Sequence, residues 1–186
     1  MLSKTQTYSR VASIRLIASA GKISNNLPAN EAILVLDGTG NLRSDAIAIV
    51  ASDLATNMVG SDLALVLGKT HTYSRVESIT SMMRAGKIRN GLPADEAILV
   101  LEGAGNLRSD AIAVIAPNLA TNMVGSDLAL VLGETQTYSR VASIRSIANA
   151  GKIKRGLTAQ DVALVSAGLG SQTADALGIL TPYLAH

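Results

Sequence analysis

Tyr8-Ser9-Arg10, Tyr73-Ser74-Arg75 and Tyr138-Ser139-Arg140 are the same tripeptide, met three times at intervals of 65 residues. Arginines aligned at one spacing could form a ridge that binds phosphate groups or acidic peptides. The tyrosine beside each would add a row of contact area with a polar tip. Tyr8, Arg10, Tyr73, Arg75, Tyr138 and Arg140 are therefore the candidate binding residues. A structural alternative competes with this reading. Arg10, Arg75 and Arg140, with the recurring Lys22, Lys87 and Lys152, can simply be solvated or complement the negative ends of helices. The tyrosines can pack at interhelical corners.

The remaining polar residues point away from catalysis. The chain holds 2 His and no Cys, which excludes disulfides, thiolate metal sites and cysteine nucleophiles. His71 is replaced by Gln6 and Gln136 in the other copies, and neither it nor His186 has a paired carboxylate or nucleophile near it in sequence. Two histidines without cysteine do not make a structural zinc site. Glu31, Asp45, Asp62, Glu96, Asp110 and Asp127 all fall near proposed helix starts, where the helix dipole accounts for them. Gly38-Thr39-Gly40 and Gly103-Ala104-Gly105 lack the third glycine of a dinucleotide fingerprint and the Lys-Ser/Thr of a P-loop. They read as helix ends and tight turns. The Arg43 and Arg108 that follow leave open a phosphate site near a helix N-terminus. The expectation is no enzyme activity, no cofactor and no metal.

Composition sets the class. Of 186 residues, 48% are hydrophobic and 16% charged, so the chain can bury a core and is not intrinsically disordered. The net charge of +2 argues against nucleic acid as a partner. The apolar runs, such as Ala32-Ile33-Leu34-Val35-Leu36, are far short of the ~20 residues a membrane helix needs. No apolar stretch of signal-peptide length follows a basic start, so a cytoplasmic location is the default.

The elements that must position these residues follow from internal repetition. Residues 7–70 and 72–135 match at 48 of 64 positions. The expectation is one domain over residues 1–186, with repeats at about 7–71, 72–136 and 137–186, the last incomplete. Each repeat also divides in two. Glu31-Ala32-Ile33-Leu34-Val35-Leu36 resembles Asp62-Leu63-Ala64-Leu65-Val66-Leu67, 31 residues on, and Ser9-Arg10-Val11 is set against Ser44-Asp45-Ala46, 35 residues on. Four helices are predicted in the first repeat. They run from about Ser9 to Ala20, from Pro28 to before Gly38, from Leu42 or Ser44 to Leu54, and from Ser61, as cap, to Leu67. In the third copy Thr158 and Asp161 suit an N-cap with an acidic first turn. Met82 and Met83 read as gap fillers. Strands at Ala32–Leu36 and Leu63–Leu67 are the rival reading, since such short apolar runs carry no decisive period. Helices fit better with the Ala-rich flanks and acidic starts. Helix pairs that each expose one apolar face bury it by stacking, so the predicted architecture is all-α, a solenoid of about eleven short helices.

Three segments carry a likeness to a known family. Leu157-Thr158-Ala159-Gln160-Asp161-Val162-Ala163-Leu164 matches one helix type, Tyr73-Ser74-Arg75-Val76 a second helix start, and Ala176-Leu177-Gly178-Ile179-Leu180-Thr181-Pro182 a third. Together they resemble a family of short helical repeats classed as a domain of unknown function. The aromatic before the serine is kept at Tyr8, Tyr73 and Tyr138, while Leu42 and Leu107 hold that place at the alternate starts. The resemblance implies an all-α interaction module and brings no catalytic residues.

The functional expectation is a non-enzymatic scaffold that binds a protein or peptide along stacked helices. The alternative is self-association as a structural protein, or an engineered consensus repeat with no natural ligand. The near-identity of the first two copies, at exposed-looking positions as well as apolar ones, motivates the alternative.

Overall fold

The computed structural model describes residues 7–185. Glycines and helix-starting residues cut the chain into eleven α-helices among them. These are α1 (Thr7–Ser19), α2 (Ala29–Leu36), α3 (Arg43–Val50), α4 (Gly60–Leu67), α5 (Thr72–Arg84), α6 (Ala94–Leu101), α7 (Arg108–Ile115), α8 (Gly125–Leu132), α9 (Thr137–Asn149), α10 (Ala159–Ser166) and α11 (Thr173–Leu180). Short 3-10 turns flank α3, α7 and α11 on both sides. The apolar runs at 32–36 and 63–67 are helical, which decides against strands there.

Stops and starts have local causes. Gly21, Gly86 and Gly151 each follow a 13-residue helix with φ of 64°, 68° and 68°, a left-handed turn that glycine adopts without a Cβ clash. Thr158 caps α10 as expected: its hydroxyl accepts the Asp161 N–H, and the Asp161 carboxylate accepts the Thr158 N–H at 2.9 Å. At α4 the cap is Val59, two residues before the predicted Ser61, and Ser61 lies inside the helix. The positive end of α4 is satisfied from another helix instead. Gly60 N–H donates to the Glu96 carboxylate of α6 at 2.9 Å, and Gly125 N–H of α8 donates likewise to Asp161 of α10 at 2.9 Å. Both glycines are needed for this approach. A Cβ on Gly60 would stand 2.5 Å from the Glu96 carbonyl oxygen, and one on Gly125 would stand 2.4 Å from the Asp161 Cα.

Each helix packs on the one two places along. The odd-numbered series runs from α1 through α3, α5, α7 and α9 to α11, and the even-numbered series from α2 through α4, α6 and α8 to α10. The segments that lead from odd to even helices are tied in the same order by isolated parallel bridges: Leu27 with Leu54, Met58 with Ile88, Leu92 with Leu119, Met123 with Ile153, Leu157 with Leu184. These bridges absorb the backbone N–H and C=O groups of the connections, which would otherwise be costly to bury. The core is one continuous cluster that includes Leu36, Ile47, Leu67, Ile79, Met82, Leu101, Ile112 and Leu132. With no Phe or Trp in the chain, aliphatic side chains and methionine fill it. Met82 is fully buried, in keeping with a gap filler, and Met83 is half-buried against the same cluster.

Candidate functional site

The arginines do not form a surface ridge. Arg75 and Arg140 are buried, and so is Arg43. Arg75 sits in the first turn of α5 and donates through Nε to Val100 O at 3.0 Å and through Nη2 to Leu99 O at 2.9 Å, both in the last turn of α6. Its Nη1 donates to Leu67 O, the end of α4, at 2.9 Å. One guanidinium thus joins an odd helix to the even helices before and after it. The negative ends of those two helices stabilise the charge.

Other repeats use the same clamp. Arg43 reaches Val66 O and Leu65 O of α4 and Leu36 O of α2. Arg140 reaches Val165 O and Leu164 O of α10, with Gly133 O and Thr135 O beyond α8. Arg108 reaches Val131 O and Leu130 O of α8. Arg10 reaches Leu34 O and Val35 O of α2 through Nη2 alone. Burial pushes the Arg75 guanidinium down to about 10, with Glu102 opposing the shift, so it stays charged at neutral pH. Burial also pushes Arg43, Arg108 and Arg140 downward.

Two corrections follow. Arg75 and Arg140 have no free donor face for a phosphate or acidic peptide, because helix carbonyls already occupy their forks. The complement-to-helix-ends alternative describes them. The phosphate site beside Arg43 disappears for the same reason, whereas Arg108 is half-buried and bonds helix carbonyls through Nε and Nη2 alone. The half-repeat offset is also different from the sequence alignment. Arg43 is the counterpart of Arg10, 33 residues on, whereas setting Ser9 against Ser44 had hidden this.

The tyrosines part company with the arginines. Tyr8, Tyr73 and Tyr138 are 78%, 66% and 72% exposed, so they are not corner-packing residues. Tyr73 faces Glu77 one turn on, and that hydrogen bond and charge raise its phenol pKa. His71 is the exposed N-cap position of α5, its backbone N–H donating to Ser74 Oγ. His186 lies outside the described residues. Among the described residues, no group of three or more His, Asp or Glu is placed to hold a metal ion. None of their helices is long and apolar enough to cross a membrane.

A second exposed row was not foreseen. Leu34, Leu65, Leu130 and Leu164 occupy the same place in α2, α4, α8 and α10, third from the helix end, and all are exposed. Their counterpart Leu99 in α6 is half-buried. Each of these five residues gives its backbone carbonyl inward to an arginine while its side chain faces out. The signal in the sequence was the invariant leucine at that place. It was masked because α2 and α4 are apolar nearly all round and only eight residues long.

Compared with family models, curated proteins and solved structures, the chain matches none.

Proposed function

We propose that the chain is a helical-repeat solenoid that serves as a non-enzymatic scaffold for protein or peptide partners. The observation that carries this reading is the row of exposed leucines, Leu34, Leu65, Leu130 and Leu164, set at one equivalent place on four of the five even helices, with the half-buried Leu99 between them on α6. Exposed apolar residues scattered singly need no explanation, but a regular row on one helix series suits an extended apolar ligand contacted once per repeat. Tyr8, Tyr73 and Tyr138 form a sparser row on the odd helices, once per 65 residues, and are the second set of contact candidates. Arg75 and Arg140 act in this scheme as internal clamps that fix the spacing of the rows.

Selection of displayed random peptides against the immobilised chain tests the proposal. The expected outcome is enrichment of sequences with regularly spaced apolar residues, whose binding weakens about tenfold, roughly 1.4 kcal/mol, when Leu65 and Leu130 are both changed to Ser. Absence of enrichment, or enriched peptides indifferent to that double change, overturns it.

A further inference from the structure

Each joint between neighbouring even helices has two edges, one where those helices end and one where they begin. At the ends, arginines fasten three joints. Arg43 holds α2 to α4, Arg75 holds α4 to α6, and Arg140 holds Gly133, just past α8, to α10. Two of these joints also carry a backbone tie between connectors. Thr72 N–H donates to Gly103 O at 2.7 Å across α4 and α6, and Thr137 N–H donates to Gly168 O at 2.9 Å across α8 and α10. The joint between α6 and α8 has neither device among the described residues. Arg108 bonds Val131 O and Leu130 O of α8 and leaves α6 unheld. A cavity of about 680 Å³ lies there instead, lined by Glu102, which follows α6, and Glu134, which follows α8. The matching pair in the first repeat is Asp37 and Lys69, oppositely charged and 3.9 Å apart. The second repeat thus puts two like charges where the first has an attraction.

The opposite edge of the same joint is fastened. Leu92 N–H donates to Asn118 O and Ala120 N–H donates to Leu92 O, both at 2.8 Å. The buried Asn118 side chain adds amide bonds to Ile88 O at 2.9 Å and Asn90 Oδ1 at 3.0 Å. Asp53 holds that place in the first repeat and has no amide to donate. We infer that the joint between α6 and α8 is a hinge: α1–α6 and α7–α11 turn as two blocks about the Leu92–Asn118 edge and part at the Glu102–Glu134 edge. Arg108 keeps α7 with α8. The chain crosses between the blocks at Ala104-Gly105-Asn106, just after Gly103, which Thr72 holds to the first block. A few such residues at element ends are enough to absorb the dihedral changes of a hinge. The two carboxylates favour the parted form, because separation relieves their repulsion. One consequence rests on the leucine-row reading above: parting lengthens the gap between Leu65 on α4 and Leu130 on α8, so the spacing offered to a ligand is adjustable. The hinge itself rests on the fastening of the helices alone.

The chain has no cysteine, so pairs of spin labels can be placed on introduced ones. His71 and Gln136, the exposed N-cap positions of α5 and α9, report the parting edge. Asp95 and Thr121, both exposed, report the axis. Double electron–electron resonance on the two doubly labelled full chains is expected to give a distance spread about twofold wider or more at 71/136 than at 95/121. E134K, which puts opposite charges across the cavity, is expected to narrow the 71/136 spread towards its short side and to leave 95/121 as it was. Matching circular dichroism melts check that each labelled chain folds. Equal spreads at the two edges overturn the inference, and so does a 71/136 spread that E134K leaves unchanged. Neither readout involves a bound peptide, so failure here and failure of the leucine-row proposal are told apart.

Discussion

Residues 7–15 and 137–145 are identical, yet they live in different surroundings. In α9, Ser143 is fully buried, Arg140 is 4% exposed and its fork is filled on both sides. In α1, the matching Ser13 is exposed, Arg10 is half-buried and one of its nitrogens has no acceptor among the described residues. One turn further on, Ile147 is fully buried while Ile17 is 49% exposed. The nine shared residues fix the same helix and the same inward arginine. They do not fix burial, which comes from α7 and α8 lying against α9. In this chain the burial of a repeated segment is therefore set by the helices packed on it as much as by its own sequence.

The largest effect should separate the arginines. Arg75→Met removes the guanidinium from Val100 O and Leu99 O and leaves Leu67 O to Thr70 alone, and a loss of about 4 kcal/mol is expected in urea unfolding. Arg10→Met should cost about 1 kcal/mol, because its fork serves one helix only. Equal losses would break the comparison. The isoleucine pair comes next. Ile147→Ala should cost about 3 kcal/mol as a core truncation, and Ile17→Ala less than about 1 kcal/mol at its half-exposed site. Thermal melts of the two variants, run side by side, measure this directly. Smaller again is Gly60→Ala. Alanine usually favours a helix interior by about 1 kcal/mol, but here its Cβ meets the backbone of α6, and a net loss of about 2 kcal/mol is expected. The matching place in α2 and α6 already holds Ala29 and Ala94, so a stabilised Gly60→Ala protein would show that α4 and α6 approach less closely than described.

Much of the fold could be read in advance. The repeat, the helix count and the stops at Gly21 and Gly151 follow from turn chemistry and periodicity, which are local. The Thr158 cap was legible because its one partner, Asp161, lies three residues on. The Ser61 cap was misplaced because the group that satisfies Gly60 comes from Glu96, 36 residues away. The candidate site was legible only in part. Tyr8, Tyr73 and Tyr138 do face outward, but nothing in Tyr-Ser-Arg says that the next-but-one side chain turns inward to helix ends some 25 residues on. The leucine row was hidden by saturation. In an eight-residue helix that is apolar on every side, pattern does not single out the exposed face, and only the position of the neighbouring helices does.

The central claim is that identical segments differ in protection because their neighbours differ. Native-state hydrogen exchange followed by mass spectrometry reads it in one experiment, since peptides covering 7–15 and 137–145 are separable through Leu16 and Ser146. The account predicts that the α9 amides exchange only by global unfolding, while the α1 amides open by a cheaper local route and exchange about tenfold faster or more. Equal protection of the two segments would contradict it.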